Sequence, residues 1–161
     1  MPDRLNISYY GRDWRSSELS NLTAGPMAFD GVRVRCVESV VQSMNFRPDD
    51  PRHDACLDLC GPECKSMIYE AAAGIHGVVH WGGLVIDLES SERLGIIRRV
   101  IETKFSTISS AWEALRLSQG IELEYDTSEI DEMLSVPRDF FLSVLSDIRA
   151  AIGQGEFPRP G

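Results

Sequence analysis

The stretch RCVESVVQSMNF, residues 35–46, decides how this chain is read. At about 100° per residue, Val34, Val37, Val41 and Met44 form one apolar stripe, and Glu38, Gln42 and Asn45, at i, i+4 and i+7, form a polar stripe beside it. Two readings follow. In one, Glu38 is a boundary residue whose stem packs while its carboxylate reaches water. In the other, a carboxylate and two amides line a polar cleft at the edge of the core. Helix geometry alone leaves both open.

Working outward, the flanking sequence mixes short strands with longer helices. MAFDGVRV (27–34) reads as two short strands around an Asp-Gly turn. NISYY (6–10) and IELEYDT (121–127) are further strand candidates, and IHGVVHWGGLVIDL (75–88) is β-like or irregular because Gly77, Gly82 and Gly83 break any long helix. GPECKSMIYEAAAG (61–74) places Pro62 near a helix start and Gly74 just past its end. In SSERLGIIRRVIETKF (90–105), Leu94, Ile97, Ile101 and Phe105 share a helical stripe. Ser110 and Glu113 predict a capping box for a helix running to about Gly120. SVPRDFFLSVLSDIRAAIG (135–153) sets Phe141, Val144, Leu145, Ile148 and Ile152 on one face, between Pro137 and Gly153. The expected fold is α+β: a single compact, mainly helical domain over residues 1–153 with a few short strands, followed by a disordered Gly/Pro-rich tail at 154–161.

Composition narrows the function classes. A length of 161 residues suits one domain with a sizeable core. The formal charge of −9 argues against general nucleic-acid binding, which depends on Lys and Arg neutralising phosphates. No run approaches the roughly 18–20 apolar residues of a membrane span, and MPDRLNISYYGRD (1–13) lacks the pattern of a secretory signal. A cytoplasmic protein with reduced thiols is therefore expected. Cys56, Cys60 and Cys64 follow His53 at four-residue spacing, and His76 and His80 form another i, i+4 pair. Yet C-x2-C knuckles are missing and Gly61-Pro62 interrupts the alignment of the thiols, so neither a metal nor another cofactor is expected.

Ordered motifs give a resemblance. ELSNLTAGPMAFDGVRVRCVESVVQSMNF (18–46) resembles the N-terminal half of the NADAR superfamily, the YbiA-like proteins, with Ser20, Asn21, Asp30, Gly31, Glu38, Gln42 and Phe46 at matching positions. CGPECKSMIYE (60–70) is similar to the family's S-P-x-x-A helix start. RRVIETKF (98–105) resembles its R-R-x-x-x-x-K-F helix, and WEALRLSQGIELEY (112–125) the segment after it. The order holds over about residues 8–150. There are departures: Ser39 stands where the family has histidine, Asn45 where it has lysine, and the W-G-x-G loop is absent from SEIDEMLSVPRDFF (128–141).

The resemblance implies a hydrolase acting on N-glycosyl bonds. Family members are similar to glycosidases that release ribose phosphate from riboflavin-pathway intermediates and to enzymes that remove ADP-ribose from guanine. Glu38 is then the carboxylate facing the oxocarbenium-like carbon, with Asp131, or alternatively Asp126, as second acid. Tyr10, Asn21, Gln42, Trp81, Arg98 and Lys104 are the candidate ligand-binding residues: Asn21 for ribose hydroxyls, Trp81 for stacking on a base, Arg98 or Lys104 for phosphate. The expected ligand is a small ribosyl-phosphate or ADP-ribosyl molecule. A module that binds such a nucleotide without hydrolysing it, and an interaction protein whose polar stripe rims an interface, are the other two readings.

Overall fold

Helix α2 (Val37–Met44) is buried on every side, with all eight of its residues inaccessible to solvent. The two-stripe reading therefore changes: Val34 belongs to the preceding strand, and Ser39, Gln42 and Ser43 of α2 face structure rather than water. Their side chains, and that of Asn45 just beyond, donate to carbonyls of two neighbouring short helices and a loop. Ser39 Oγ donates to Leu59 O (2.5 Å) and Ser43 Oγ to His53 O (2.6 Å). Gln42 Nε2 and Asn45 Nδ2 both donate to Leu134 O, at 3.1 and 3.0 Å. Buried polar groups are tolerated where they find partners, and here the donors of one helix find carbonyls on the segments packed around it, although Asn45 Oδ1 is buried without a partner.

The computed structural model describes residues 3–74 and 77–161, and among these it has eight α-helices and six short strands. Strand β1 (Arg4–Asn6) pairs in parallel with β6 (Glu122–Glu124). The strand expected at 6–10 thus lies further upstream, which frees Ser8–Tyr10 to form a loop. Strands β2 (Met27–Phe29) and β3 (Val32–Val34) form the Asp-Gly hairpin, with Asp30 and Gly31 both at positive φ. Strands β4 (Val78–Trp81) and β5 (Leu84–Asp87) form a second hairpin around Gly82-Gly83. Two-residue turns of this left-handed kind match the twist of the strands they join.

Helix α4 (Gly61–Ala72) lies within the limits set by Pro62 and Gly74, and α5 (Ser91–Thr107) and α8 (Arg138–Gly153) follow the apolar spacing of the sequence. Ile97, Ile101 and Phe105 of α5, and Phe141, Val144, Leu145, Ile148 and Ile152 of α8, lie in the core. The capping box expected at Ser110 and Glu113 does not form. Only Ile108 separates α5 from α6 (Ser109–Arg116), so that residue ends one helix and starts the next, leaving no place for a serine cap. Ser110 donates instead to Glu18, and Glu113 pairs with Arg116.

Three short helices were not apparent from spacing: α1 (Trp14–Leu19), α3 (Pro51–Ala55) and α7 (Glu129–Leu134). Each starts on a side chain that accepts from the first turn, Asp13, Asp50 and Ser128 respectively. At α7 the cap is reciprocal, with Asp131 reaching back to the Ser128 N–H (3.0 Å). Beyond α8, Trp112 Nε1 donates to Phe157 O (3.3 Å) and the Arg159 guanidinium lies over the Trp112 ring. No helix among the described residues is long and apolar enough to cross a membrane.

Candidate active site

The turn Ser20–Leu22 fixes the position of the site. Its three successive carbonyls are held by three different helices: Ser20 O accepts from Lys104 Nζ of α5 (2.8 Å), Asn21 O from the Glu38 N–H of α2 (3.0 Å), and Leu22 O from the Gly61 N–H of α4 (2.7 Å). Gly61 sits at φ +61°, and a Cβ there would meet the Tyr9 hydroxyl at 3.0 Å. Glycine thus permits both the left-handed entry into α4 and the close seating of Tyr9.

Between this turn, the Ser8–Tyr10 loop and α7 lies a cavity of about 230 Å³. Glu38, Asn21, Tyr10, Asp126 and Asp131 all line it, joined by Tyr9, Lys65 and Tyr125. Glu38 is only 1% exposed. Its Oε1 accepts from Gln42 Nε2 (2.7 Å) and from Ser135 Oγ (2.6 Å), while Oε2 takes no donor among the described residues. One oxygen is pinned and the other is left for the cavity. Behind it, Arg93 Nη2 donates to Ser135 O (2.7 Å). Burial lowers the pKa of Arg93 from its ordinary value, and the Glu38 carboxylate opposes that fall. The guanidinium thus supplies the opposite charge that a buried carboxylate needs.

Asp131 is differently placed. Its Oδ1 pairs with Lys65 Nζ at 2.5 Å and its Oδ2 accepts the Ser128 N–H. Burial alone would raise its pKa, but Lys65 and Ser128 outweigh that and hold the carboxyl below the ordinary value. Burial pushes the Tyr125 phenol above its usual range, reinforced by the negative charges of Glu38 and Asp131. Its ring packs edge-on against Phe141, with centroids 4.8 Å apart. The Asn21 side chain weakly opposes that rise, and its Nδ2 is buried without a hydrogen-bond partner.

The remaining candidates lie elsewhere. Gln42 touches Glu38 from behind and does not line the cavity. Lys104 is buried beneath the Ser20 turn. Arg98 pairs with Glu102 and Asp147 on the surface. Trp81 donates to Asp30 (2.8 Å) and lines a separate hollow of about 140 Å³ with His53. A larger hollow of about 680 Å³ opens beyond the C-terminal end of α2, beside Asn45, Phe46, Arg52, Glu70, His80 and Val85, but Glu38 does not reach it. Among the described residues no group of three or more His, Cys, Asp or Glu is arranged to hold a metal ion; His76 lies outside them.

Sequence reasoning did not single out Lys65, Tyr9, Tyr125, Ser135 or Arg93. Lys65 is one of two lysines in the chain, but nothing in its spacing marks it as facing Asp131. Ser135 offers a direct check on the pinned oxygen. Ser135→Ala should slow any reaction that depends on Glu38 about tenfold, and should lower stability by about 2 kcal/mol, because it removes a hydrogen bond to a charged group. Urea denaturation and initial rates measured on the same sample test both values, and an unchanged rate would detach Ser135 from the chemistry.

The sequence matches no family model and no curated protein. The fold, however, is similar to that in the NMR structure of the E. coli protein YbiA, with a TM-score of 0.65, 14% sequence identity, and coverage of 100% of this chain and 92% of that one. The fold is YbiA-like. The mainly helical α+β arrangement implied by the NADAR resemblance is the one observed. In this YbiA-like frame the acid of α2 lies at the inner end of a concavity, bounded by a turn, a loop and a short helix.

Proposed function

We propose that the chain is an N-glycosidase that hydrolyses the C1′–N bond of a ribosylated or ADP-ribosylated base or amine. The observation that carries this reading is the single unpartnered oxygen of Glu38, held inside a cavity by two donors on its other oxygen. As the C1′–N bond lengthens, positive charge grows on the anomeric carbon and ring oxygen. A fixed carboxylate in a water-poor site stabilises that charge and can accept a proton from the attacking water. Asn21 offers an amide donor to a ribose hydroxyl, and Tyr10, 75% exposed at the mouth, offers a ring face to the base. About 230 Å³ accommodates the ribosyl end of the ligand, with the remainder lying outside.

A second reading, a module that binds such ligands without hydrolysis, is favoured by one feature: both oxygens of Asp131 are occupied, by Lys65 and Ser128. The two readings separate on incubation with a ribosylated aminopyrimidine phosphate, NAD, ADP-ribose and ADP-ribosylated DNA, followed by chromatography of the products. Release of free base supports the glycosidase. A ligand-induced thermal shift without release supports the binding module, and neither effect with these four, nor with the unphosphorylated riboside of the base, would exclude both.

A further inference from the structure

We propose that the Glu38 cavity selects an unphosphorylated riboside whose glycosidic nitrogen is cationic, such as a ribosyl pyridinium, and disfavours the corresponding 5′-phosphate. This rests on the glycosidase reading and names its substrate class. The charged residues lining the cavity are Glu38, Asp126 and Asp131 against Lys65 alone, and Lys65 is already paired with Asp131. Among the described residues no arginine lines it. Arg98 and Lys104, the cations the sequence offers for a phosphate, are held by Glu102 and Asp147 and by the Ser20 carbonyl. A phosphate dianion in this space meets like charge at short range with no free cation to offset it, whereas a cationic ring meets opposite charge.

Two further observations point to a riboside. Asn21, 3% exposed and lining the cavity, has a side-chain amide nitrogen with no partner, and a sugar hydroxyl would supply the missing acceptor. The leaving group also needs no acid. A neutral amine must be protonated as it departs, but Asp131 is held as a carboxylate by Lys65 and Ser128, and the Tyr125 phenol keeps its proton. With a cationic ring the C1′–N bond breaks, its electron pair stays on nitrogen, and the formal charge of the ring is cancelled. The oxygen of water bonds to C1′, and its proton passes to Glu38 Oε2 and then to solvent. The products are ribose, neutral base and one proton.

The test uses the full chain with nicotinamide riboside and nicotinamide mononucleotide, which differ only in the 5′-phosphate. The riboside should show kcat/KM at least about tenfold higher, and in Glu38→Gln it should bind at least about tenfold more tightly by calorimetry, with the gap narrowing as salt is added. Asp126→Lys, at the exposed rim, should reduce that preference. Equal or better use of the mononucleotide would overturn the inference while leaving the glycosidase reading intact. Tighter binding of the riboside with no turnover of either compound would sustain the inference and remove the glycosidase reading. Binding of neither compound would overturn the inference.

Discussion

Glu38→Gln should slow base release by about a thousandfold while leaving ligand binding within a few-fold of the parent. That loss corresponds to about 4 kcal/mol of transition-state stabilisation, in the range found when a fixed charge or hydrogen-bond donor facing a developing charge is removed. The replacement is nearly isosteric, and its amide oxygen can still accept from Gln42 and Ser135. What is lost is the negative charge and a base for water. Folding should lose some stability, because the buried Arg93 guanidinium is left without the opposite charge of Glu38, so the melting temperature should fall by several degrees. Single-turnover release and a thermal melt on the same preparation check both parts. A variant that keeps the parent rate would remove Glu38 from the chemistry, and one that melts no earlier would show that Arg93 does not depend on its charge.

The second large effect concerns Lys104. Burial pushes its pKa from the ordinary 10.5 down to about 8, partly opposed by Glu18 and Cys36. A lysine with a lowered folded-state pKa is an ammonium that the fold tolerates poorly. Below about pH 8 both folded and unfolded chains carry the proton, and the full penalty applies. Between about pH 8 and 10.5 the unfolded chain binds more protons than the folded one, so the contribution of this group to stability rises with pH. At about 1.4 kcal/mol per pH unit, the whole window is worth about 3 kcal/mol, of which about 2 kcal/mol is recovered between pH 7.5 and 9.5. Other groups act in the opposite sense. Burial raises the Cys56 thiol to about 12 and raises the Tyr125 phenol, so above about pH 9 the unfolded chain loses protons that the fold retains. The comparison that isolates Lys104 is urea unfolding of the parent against Lys104→Met at pH 7.5 and 9.5. The stability difference should move toward the parent by about 2 kcal/mol; a difference that stays flat would show that the ammonium is not desolvated.

Much of the fold could be read from local pattern, because long helices and tight hairpins are written in consecutive residues. The apolar spacing of α5 and α8, the Pro62 and Gly74 limits of α4, and the Asp30-Gly31 turn all depend on neighbours a few positions apart. Helices α1, α3 and α7 span five or six residues, too few for a period to repeat, although their capping side chains were present in the sequence. The complete burial of α2 could not be read locally, since the carbonyls that satisfy it come from His53, Leu59 and Leu134.

The same distinction divides the site. Glu38, Asn21, Tyr10, Asp126 and Asp131 share one cavity, whereas Trp81, Arg98 and Lys104 have partners outside it. A helix stripe can show that Arg98 lies near an edge, but not that Asp147 waits across from it. The pinning of Glu38 by Ser135, and of Asp131 by Lys65, joins residues 97 and 66 positions apart. Such pairs exist only once the chain has folded.

The three tethered carbonyls of the Ser20–Leu22 turn bear on how this hollow can behave. A rim stitched to three helices cannot act as a hinged door: it moves only if the packing of α2, α4 and α5 moves with it. Admission of a guest is therefore left to the Ser8–Tyr10 loop and the α7 side, opposite a wall that is tied into the core.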